Sequence, residues 1–416
     1  MSAPNKLWRL VRRLLRVFAA LAFCAVLAVG MLLGSLWLEH SFWIELPKPM
    51  GPFAVGRDVF DWVDSKTFDS LAPVAGTKRE LLVWMWYPAA TGQSAVVDDY
   101  SPEPLRTAIA RQTGVLLSDF LTRDSSKVQA HSLRNADISP QKQSYPVIIM
   151  RAGASLEVAS YSSLAEDLAS HGYIVVGLDA PYRTGIVSFP DGRIIKRIPQ
   201  NNPEACLQKT GQERDRCASR FLTAWSSDIA YVLDRLAQLN ASDPSGKLTG
   251  KFDMTRVGIF GHSFGGAQTT QFCSEDSRCK AGVDLDGAPH GGVIQTGINR
   301  PFMFLLSDHS HESDSQTEHI KTDIQSIYER IPPNERLYVW IRGANHFTFS
   351  DDGAVLKSHL VRGVLRALGK LEIDGDRQIE VTRYCLRTFF DAYLKNSAAS
   401  PPEMLSPFYP EIQVLR

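Results

Sequence analysis

The motif Gly-His-Ser-Phe-Gly at residues 261–265 could carry the chemistry of a nucleophilic serine. It directly follows an apolar run at residues 257–260 and precedes residues that can open a helix. A strand, a tight turn and a helix in this order form a nucleophile elbow, which exposes the serine hydroxyl and leaves room only for small residues on both sides. The first N–H groups of the helix then favour a developing oxyanion. This context predicts Ser263 as a nucleophile.

A serine hydroxyl needs a base, and in α/β-hydrolases the histidine follows the serine in the chain. His346 lies five residues after the apolar run at 337–341, where we expect the loop at the carboxyl end of a late strand. His309, His311 and His319 share a polar segment that is more typical of a solvated loop than of a metal site. We therefore predict His346 as the base, and we predict that no metal or organic cofactor is needed.

Two aspartates are candidates for the acid that orients the histidine. Asp286 follows a predicted strand at residues 280–285, and Asp308 follows the next predicted strand at 301–306. Either carboxylate could fix the tautomer of the imidazole and stabilise the imidazolium. Because both aspartates follow predicted strands, their positions do not decide which of them is the acid.

The elements that must position these residues are short buried strands alternating with helices. Alternation of this kind predicts parallel βαβ units and a central sheet with helices on both faces. We predict one α/β domain over residues 45–416, with insertions near 89–140 and 183–220, and a surface course for residues 47–78. The predicted strands lie at 81–87, 146–150, 173–178, 257–260, 280–285, 301–306 and 337–341, and the predicted helices at 104–112, 161–170 and 221–236.

Several segments resemble the platelet-activating-factor acetylhydrolase family, plasma and intracellular type II, with its bacterial relatives. The similarity spans most of residues 51–395 and is carried by segments 51–56, 82–88, 168–173, 190–192 and 261–267 and by the segment around Asp286. The resemblance implies an α/β-hydrolase fold and a calcium-independent acyl-ester hydrolase. It also implies Asp286 as the acid, with Ser263 as the nucleophile and His346 as the base.

The same resemblance implies two backbone N–H groups as oxyanion donors. One is the N–H of Phe264, and the other matches Ala154, in the loop after the strand at 146–150. Family members usually have His-Gly in this loop, whereas this chain has Ala152-Gly153.

The predicted reaction is transfer of an acyl group from a small ester or a phospholipid-like substrate to Ser263 and then to water. Four alternatives remain open. The first is a cutinase- or lipase-type hydrolase of polyesters or lipids, the second is an acyltransferase with a second substrate in place of water, and the third is a binding module without catalysis. The fourth is chemistry like that of dienelactone hydrolases, although these enzymes typically have cysteine at the elbow.

The N-terminus indicates the compartment. Residues 1–16 carry five basic residues and no acidic one, and residues 17–38 are an apolar stretch long enough to cross a hydrocarbon core of about 30 Å. We predict a basic cytoplasmic segment, a transmembrane anchor at 17–38 and an exported, membrane-anchored catalytic domain. A cleaved signal, which would release a secreted protein, is the alternative.

Because the net charge is zero, the rest of the chain is mildly acidic, which argues against binding of nucleic acid.

An oxidising compartment favours disulfides, and five free thiols are the alternative. Cys206 and Cys217 flank a polar segment that is predicted to be an external loop. Cys273 and Cys279 would lie about 9 Å apart along the axis of a continuous helix, so they can pair only if the helix ends between them, near residues 275–277.

Overall fold

The computed structural model describes residues 6–90, 96–115, 124–154, 156–206, 208–310, 315–356, 359–368, 372–396 and 401–415. Its strands are β1 (Ile44–Glu45), β2 (Ala54–Phe68), β3 (Lys78–Ala89), β4 (Val128–Gln129), β5 (Leu133–Arg134), β6 (Tyr145–Arg151), β7 (Ile174–Asp179), β8 (Ile186–Ser188), β9 (Ile194–Lys196), β10 (Phe252–His262), β11 (Ala281–Leu285), β12 (Phe302–Leu306), β13 (Arg336–Ile341) and β14 (Ile412–Val414). Its α-helices are α1 (Lys6–His40), α2 (Glu103–Val115), α3 (Ser162–Ser170), α4 (Gly211–Ala241), α5 (Phe264–Glu275), α6 (Val293–Thr296), α7 (Ser315–Arg330), α8 (Asp352–Val355), α9 (His359–Ala367) and α10 (Gly375–Phe390).

Ten strands form one mixed sheet in the order β14-β13-β12-β11-β10-β6-β7-β3-β2-β5. The six central strands, from β13 to β7, are parallel. Strands β3 and β14 flank them in antiparallel orientation, and β2 is antiparallel to β3. Because the carboxyl ends of all six parallel strands meet at one edge, residues that directly follow β10, β11 and β13 lie close together. The predicted α/β architecture is confirmed.

The apolar runs form strands because both faces of the sheet are covered. Along β6, Ile148 and Met150 pack into a core with α3 and α10, and Val147 and Ile149 pack into a second core with α4, α5 and α7. All four side chains are fully buried. A strand buried on both faces has a continuous apolar sequence rather than an alternating one, as the predicted strands have.

Two expectations about the course of the chain are wrong. Residues 54–68, which were expected on the surface, form β2, a long strand paired with β3. Its Arg57 is buried, and Asp98 accepts hydrogen bonds from two of its nitrogens, so this buried charge is paired. Helix α4 begins at Gly211, so the expected external loop between Cys206 and Cys217 is partly helix.

Both predicted disulfides are present. Cys206 bonds to Cys217 and Cys273 bonds to Cys279. Helix α5 ends at Glu275, which allows the Cα atoms of the second pair to lie 5.2 Å apart. This disulfide links the end of α5 to the segment that enters β11, and these two elements also carry Ser263 and Asp286 at their other ends.

Helix α1 covers the predicted anchor and is longer than it. Residues Trp8–His40 are long and apolar enough to cross a membrane by length and composition, and an 18-residue window within them has a mean hydropathy of 2.6. The chain after α1 joins the domain within a few residues. His40 O accepts a hydrogen bond from Asp124 N, β1 pairs with β4, and Leu46 N donates to Gln129 O.

The cysteine pairing predicts a thiol count. Titration of the full-length protein in denaturant without a reductant should detect two thiols, Cys24 and Cys385, and all six after reduction. Replacing Cys273 and Cys279 by serine should lower the free energy of unfolding by about 2 kcal/mol or more. Cys24→Ser serves as the control and should leave the free energy of unfolding unchanged. Six thiols before reduction would contradict the pairing.

Candidate active site

Ser263 lies in a strained turn between β10 and α5, with φ 56° and ψ −122°. Its N–H donates to Leu285 O over 2.8 Å, which ties the turn to β11. A Cβ atom on Gly261 would lie 2.1 Å from Gly265 O, and one on Gly265 would lie 2.5 Å from Arg151 O. Only glycine fits at these two positions, as the elbow motif requires.

The ends of three parallel strands bring Ser263, Asp286 and His346 together. Asp286 directly follows β11, and His346 begins a single 3₁₀ turn, His346–Phe349, after β13. His346 Nε2 lies 3.1 Å from Ser263 Oγ, and His346 Nδ1 lies 2.7 Å from Asp286 Oδ2. Because the carboxylate only accepts, Nδ1 donates its proton and Nε2 is free to accept from the serine hydroxyl.

Asp308, the other candidate acid, contacts the loop that leads to His346. Its Oδ2 accepts a hydrogen bond from Gly343 N at 2.7 Å, and its own N–H donates to Ala344 O. Both ring nitrogens of His346 are already engaged by Asp286 and Ser263. The geometry therefore favours Asp286 as the acid and gives Asp308 a place in the support of the loop.

His309 is a site residue that the sequence reasoning missed. Its Nε2 lies 2.9 Å from Asp286 Oδ1, and its side chain is 27% exposed, so the expectation of a solvated loop is wrong at this position. His311 lies outside the described residues, and His319 is 59% exposed and lies 3.5 Å from Asp323. The position of His309 just after β12 was the one available signal, since this is the same edge of the sheet.

The Asp286 carboxylate has four hydrogen-bond partners. His346 and Ser307 Oγ contact Oδ2, and His309 and Ser307 N contact Oδ1. Burial by itself raises the pKa of Asp286, but the hydrogen bonds from His309 and His346 together outweigh it and hold this pKa well below its ordinary value. The carboxylate therefore stays ionised and can stabilise an imidazolium.

The two predicted oxyanion donors border the same cavity as Ser263. Phe264 is the first residue of α5, and the first N–H groups of a helix have no acceptor within it. The loop of Ala154 is fixed by hydrogen bonds on both sides of this residue, from Leu156 N to Gly153 O and from Arg197 Nη1 to Ala154 O. Their role as donors remains a prediction.

A cavity of about 480 Å³ opens beside Ser263, a volume typical of sites for small molecules. Much of its wall is apolar, and Leu306, Ile320 and Ile324 contribute to it. His290, which the sequence reasoning also passed over, lines the cavity and is buried. Burial and then the charges of nearby basic residues lower the pKa of His290 to about 4, so this ring is neutral near pH 7.

The chain matches known proteins over most of its length. A family described as platelet-activating factor acetylhydrolase, isoform II, matches residues 41–398. A probable 1-alkyl-2-acetylglycerophosphocholine esterase of Arthroderma benhamiae is 26% identical over 399 residues, which cover 89% of this chain and 93% of the relative. A cutinase of Thermobifida alba is 24% identical over 208 residues, which cover 50% of this chain and 54% of the cutinase.

A solved structure has the same fold. A ferulic acid esterase from Streptomyces cinnamoneus superimposes with a TM-score of 0.69 and 24% sequence identity, over 89% of this chain and 99% of that one. At this identity the likeness concerns the fold, which is the α/β-hydrolase fold that was predicted.

The two aspartates can be separated by matched substitutions. Asp286→Asn should lower kcat for a short ester at least 10³-fold, because the amide can no longer hold the His346 tautomer or stabilise its cation. Asp308→Asn should cost about tenfold or less, since Asp308 supports the backbone of the loop. Steady-state kinetics of both variants, with thermal unfolding as a check on folding, give the answer. The opposite ranking would make Asp308 the acid.

Proposed function

We propose that this chain, which belongs to the platelet-activating factor acetylhydrolase, isoform II, family, hydrolyses carboxylic esters through an acyl-enzyme intermediate on Ser263. The single observation that carries the proposal is the alignment of Ser263 Oγ, the His346 ring and the Asp286 carboxylate, with separations of 3.1 Å and 2.7 Å. The printed name of the fungal relative, an esterase, supports the same activity.

Acylation begins when Ser263 Oγ attacks the ester carbonyl and His346 Nε2 takes the hydroxyl proton. The carbonyl oxygen becomes an oxyanion, which accepts hydrogen bonds from the N–H groups of Phe264 and Ala154. Asp286 stabilises the imidazolium through Nδ1. The C–O bond to the alcohol then breaks, and His346 returns its proton to the departing alkoxide, which leaves as a neutral alcohol.

Deacylation repeats these steps with water as the nucleophile. His346 Nε2 accepts a proton from water, the hydroxide attacks the acyl carbonyl, and the same two N–H groups stabilise the second oxyanion. Collapse of this intermediate releases the carboxylic acid, and His346 returns the proton to Ser263 Oγ. The side chains described here account for every proton in the cycle.

The substrates that we propose are small acyl esters, including phospholipid-like esters with a short acyl group. The cavity volume of about 480 Å³ suits a short acyl or alcohol group better than two long chains. Its apolar wall favours burial of hydrocarbon. The fungal relative, whose printed name specifies an acetylated glycerophosphocholine, points to the same class.

A polyester or cutin-like substrate is a second candidate. Phe347, next to the proposed base, borders the cavity and is 71% exposed, so an aromatic ring lies at the rim where a large apolar surface could dock. The similarity to a cutinase supports the same candidate. Activity on an insoluble polyester film, compared with activity on soluble short esters, separates the two substrate classes.

We also propose that α1 is an uncleaved anchor with the basic residues 1–16 in the cytoplasm and the catalytic domain on the exported side. The apolar stretch of α1 and the basic residues in the first turns of this helix support this orientation. Two disulfides support an oxidising compartment. Secretion after cleavage is the alternative.

The hydrolase activity is tested with p-nitrophenyl acetate and butyrate, together with covalent labelling by a fluorophosphonate. The wild-type chain should hydrolyse both esters and take up one label, and Ser263→Ala should lose both properties, with residual turnover reduced at least 10³-fold. Ser307→Ala is the control, because it removes another site hydroxyl without removing the nucleophile, and it should still take up label. Full turnover by Ser263→Ala would contradict the proposal.

The topology is tested by cell fractionation and external protease. The full-length chain should remain with membranes after alkaline carbonate extraction, and protease added on the side of the membrane opposite the cytoplasm should digest the catalytic domain. Recovery of a soluble protein whose N-terminus lies beyond residue 38 would replace the anchor by a cleaved signal. Protection from external protease would reverse the proposed orientation.

A further inference from the structure

A line of hydrogen bonds runs beside the proposed triad through side chains that the mechanism does not use. Gly153 N donates to Tyr161 Oη over 3.1 Å, and Tyr161 Oη lies 2.7 Å from His262 Nδ1. On the other side of the ring, His262 Nε2 lies 2.8 Å from the backbone oxygen of His346. The line therefore joins the loop that contains Ala154 to the backbone of the proposed base.

The direction of each hydrogen bond in this line is fixed by chemistry. A backbone oxygen only accepts, so His262 Nε2 carries the proton and His262 Nδ1 is the acceptor. The Tyr161 hydroxyl must then donate to Nδ1, and it accepts from Gly153 N. Burial, followed by repulsion from His346, lowers the pKa of His262 to about 3, so the ring stays neutral in this single tautomer.

The line is shielded from water. Tyr161 is fully buried and His262 is 3% exposed. The ring of His262 also packs against the ring of His346, with 4.7 Å between centroids, and against Phe349. Since no bulk water can replace a missing partner here, loss of one group leaves buried polar atoms unpaired.

The orientation of the Ala154 N–H depends on the same loop. Gly153 O accepts from Leu156 N, and because the peptide bond is planar and trans, the Ala154 N–H points to the opposite side. The N–H of Gly153 itself is held by Tyr161. Residue 152 is alanine, so its side chain offers no hydrogen bond to this loop.

We infer that Tyr161 and His262 are positioning residues that hold the oxyanion loop, residues 152–154, and the backbone of His346 in one fixed arrangement. This inference rests on the proposed function. The hydroxyl of Tyr161 reaches the loop from the start of α3, and His262 reaches the base from within the elbow motif. Their contribution is to geometry in the transition state rather than to binding of the ester in its ground state.

Tyr161→Phe in the full-length protein tests this inference, since it removes one oxygen atom from the line. We expect kcat for p-nitrophenyl butyrate to fall about 10- to 100-fold with KM within about twofold, because oxyanion stabilisation acts in the transition state. The affinity for phenylboronic acid, which forms a tetrahedral adduct with a catalytic serine, should fall by a similar factor. A loss of stability alone would not move these two quantities together.

Tyr145→Phe is the matched control. Tyr145 is also fully buried, its hydroxyl donates to Ser139 O over 3.0 Å, and it lies at the opposite end of β6 from the oxyanion loop. This variant should keep kcat and boronic acid affinity within about twofold of the wild type. If Tyr161→Phe matches Tyr145→Phe in both quantities, the inference is wrong.

Two substitutions of His262 test the two hydrogen bonds of its ring separately. They also replace the first test if Tyr161→Phe fails to fold. His262→Asn keeps an acceptor near Tyr161, and His262→Gln keeps a donor near the backbone of His346. Each should have a kcat between those of the wild type and His262→Ala. Wild-type kcat in His262→Ala would overturn the inference, and an inactive wild type would overturn it together with the proposed function.

Discussion

The backbone of Ser263 is the constraint on which the site depends. A serine with φ 56° is strained by roughly 1–3 kcal/mol, and such a residue persists only where its surroundings determine its conformation. Here Gly261 and Gly265 allow β10, α5 and the end of β6 to approach closely, and the Ser263 N–H extends the hydrogen bonding to β11. Asp286, at the end of that neighbouring strand, has the same φ of 56°. The two strained residues of adjacent strands are therefore the proposed nucleophile and the proposed acid.

Asp284 and Asp286 lie two residues apart, yet their surroundings shift the pKa values of the two carboxyl groups in opposite directions. Asp284 is fully buried within β11, and burial raises its pKa to about 7, although Gly287 N donates to it. Asp286, two residues later, receives hydrogen bonds from His346 and His309, which keep its pKa low in spite of burial. Asp286 therefore keeps its negative charge, and this charge faces His346, where an imidazolium forms in the proposed reaction.

The parts of the fold that follow from local chemistry were predictable from the sequence. The apolar runs that became β6 and β10 and the elbow around Ser263 depend on residues close together in the chain. Residues that act through distant contacts were less accessible. Asp286 and Asp308 both follow parallel strands, so their positions did not distinguish them, and the resemblance to a family was needed. His309 was missed because its contact with Asp286 depends on the path of a polar loop.

Elements stabilised by tertiary contacts were also difficult to predict. The first turns of α4 are polar and lack apolar periodicity, yet Cys217 is bonded there to Cys206. Tyr161 is the first residue of the predicted helix 161–170 and is fully buried, but the hydrogen bonds of its hydroxyl involve Gly153 and His262, which the sequence pattern does not connect with it. Sequence patterns predict where a side chain is buried better than which polar partner it meets.

The short connection between α1 and the catalytic domain limits where the domain can encounter its substrates. Arg383, in α10, donates to the backbone oxygens of Pro47 and Lys48, so the chain is fastened to the domain soon after α1 ends. The described residues 41–46 are therefore too short a connection to let the domain move far from the end of α1. With α1 in a bilayer, the domain would work within a thin layer at the lipid surface, where amphiphilic esters concentrate and diffuse in two dimensions.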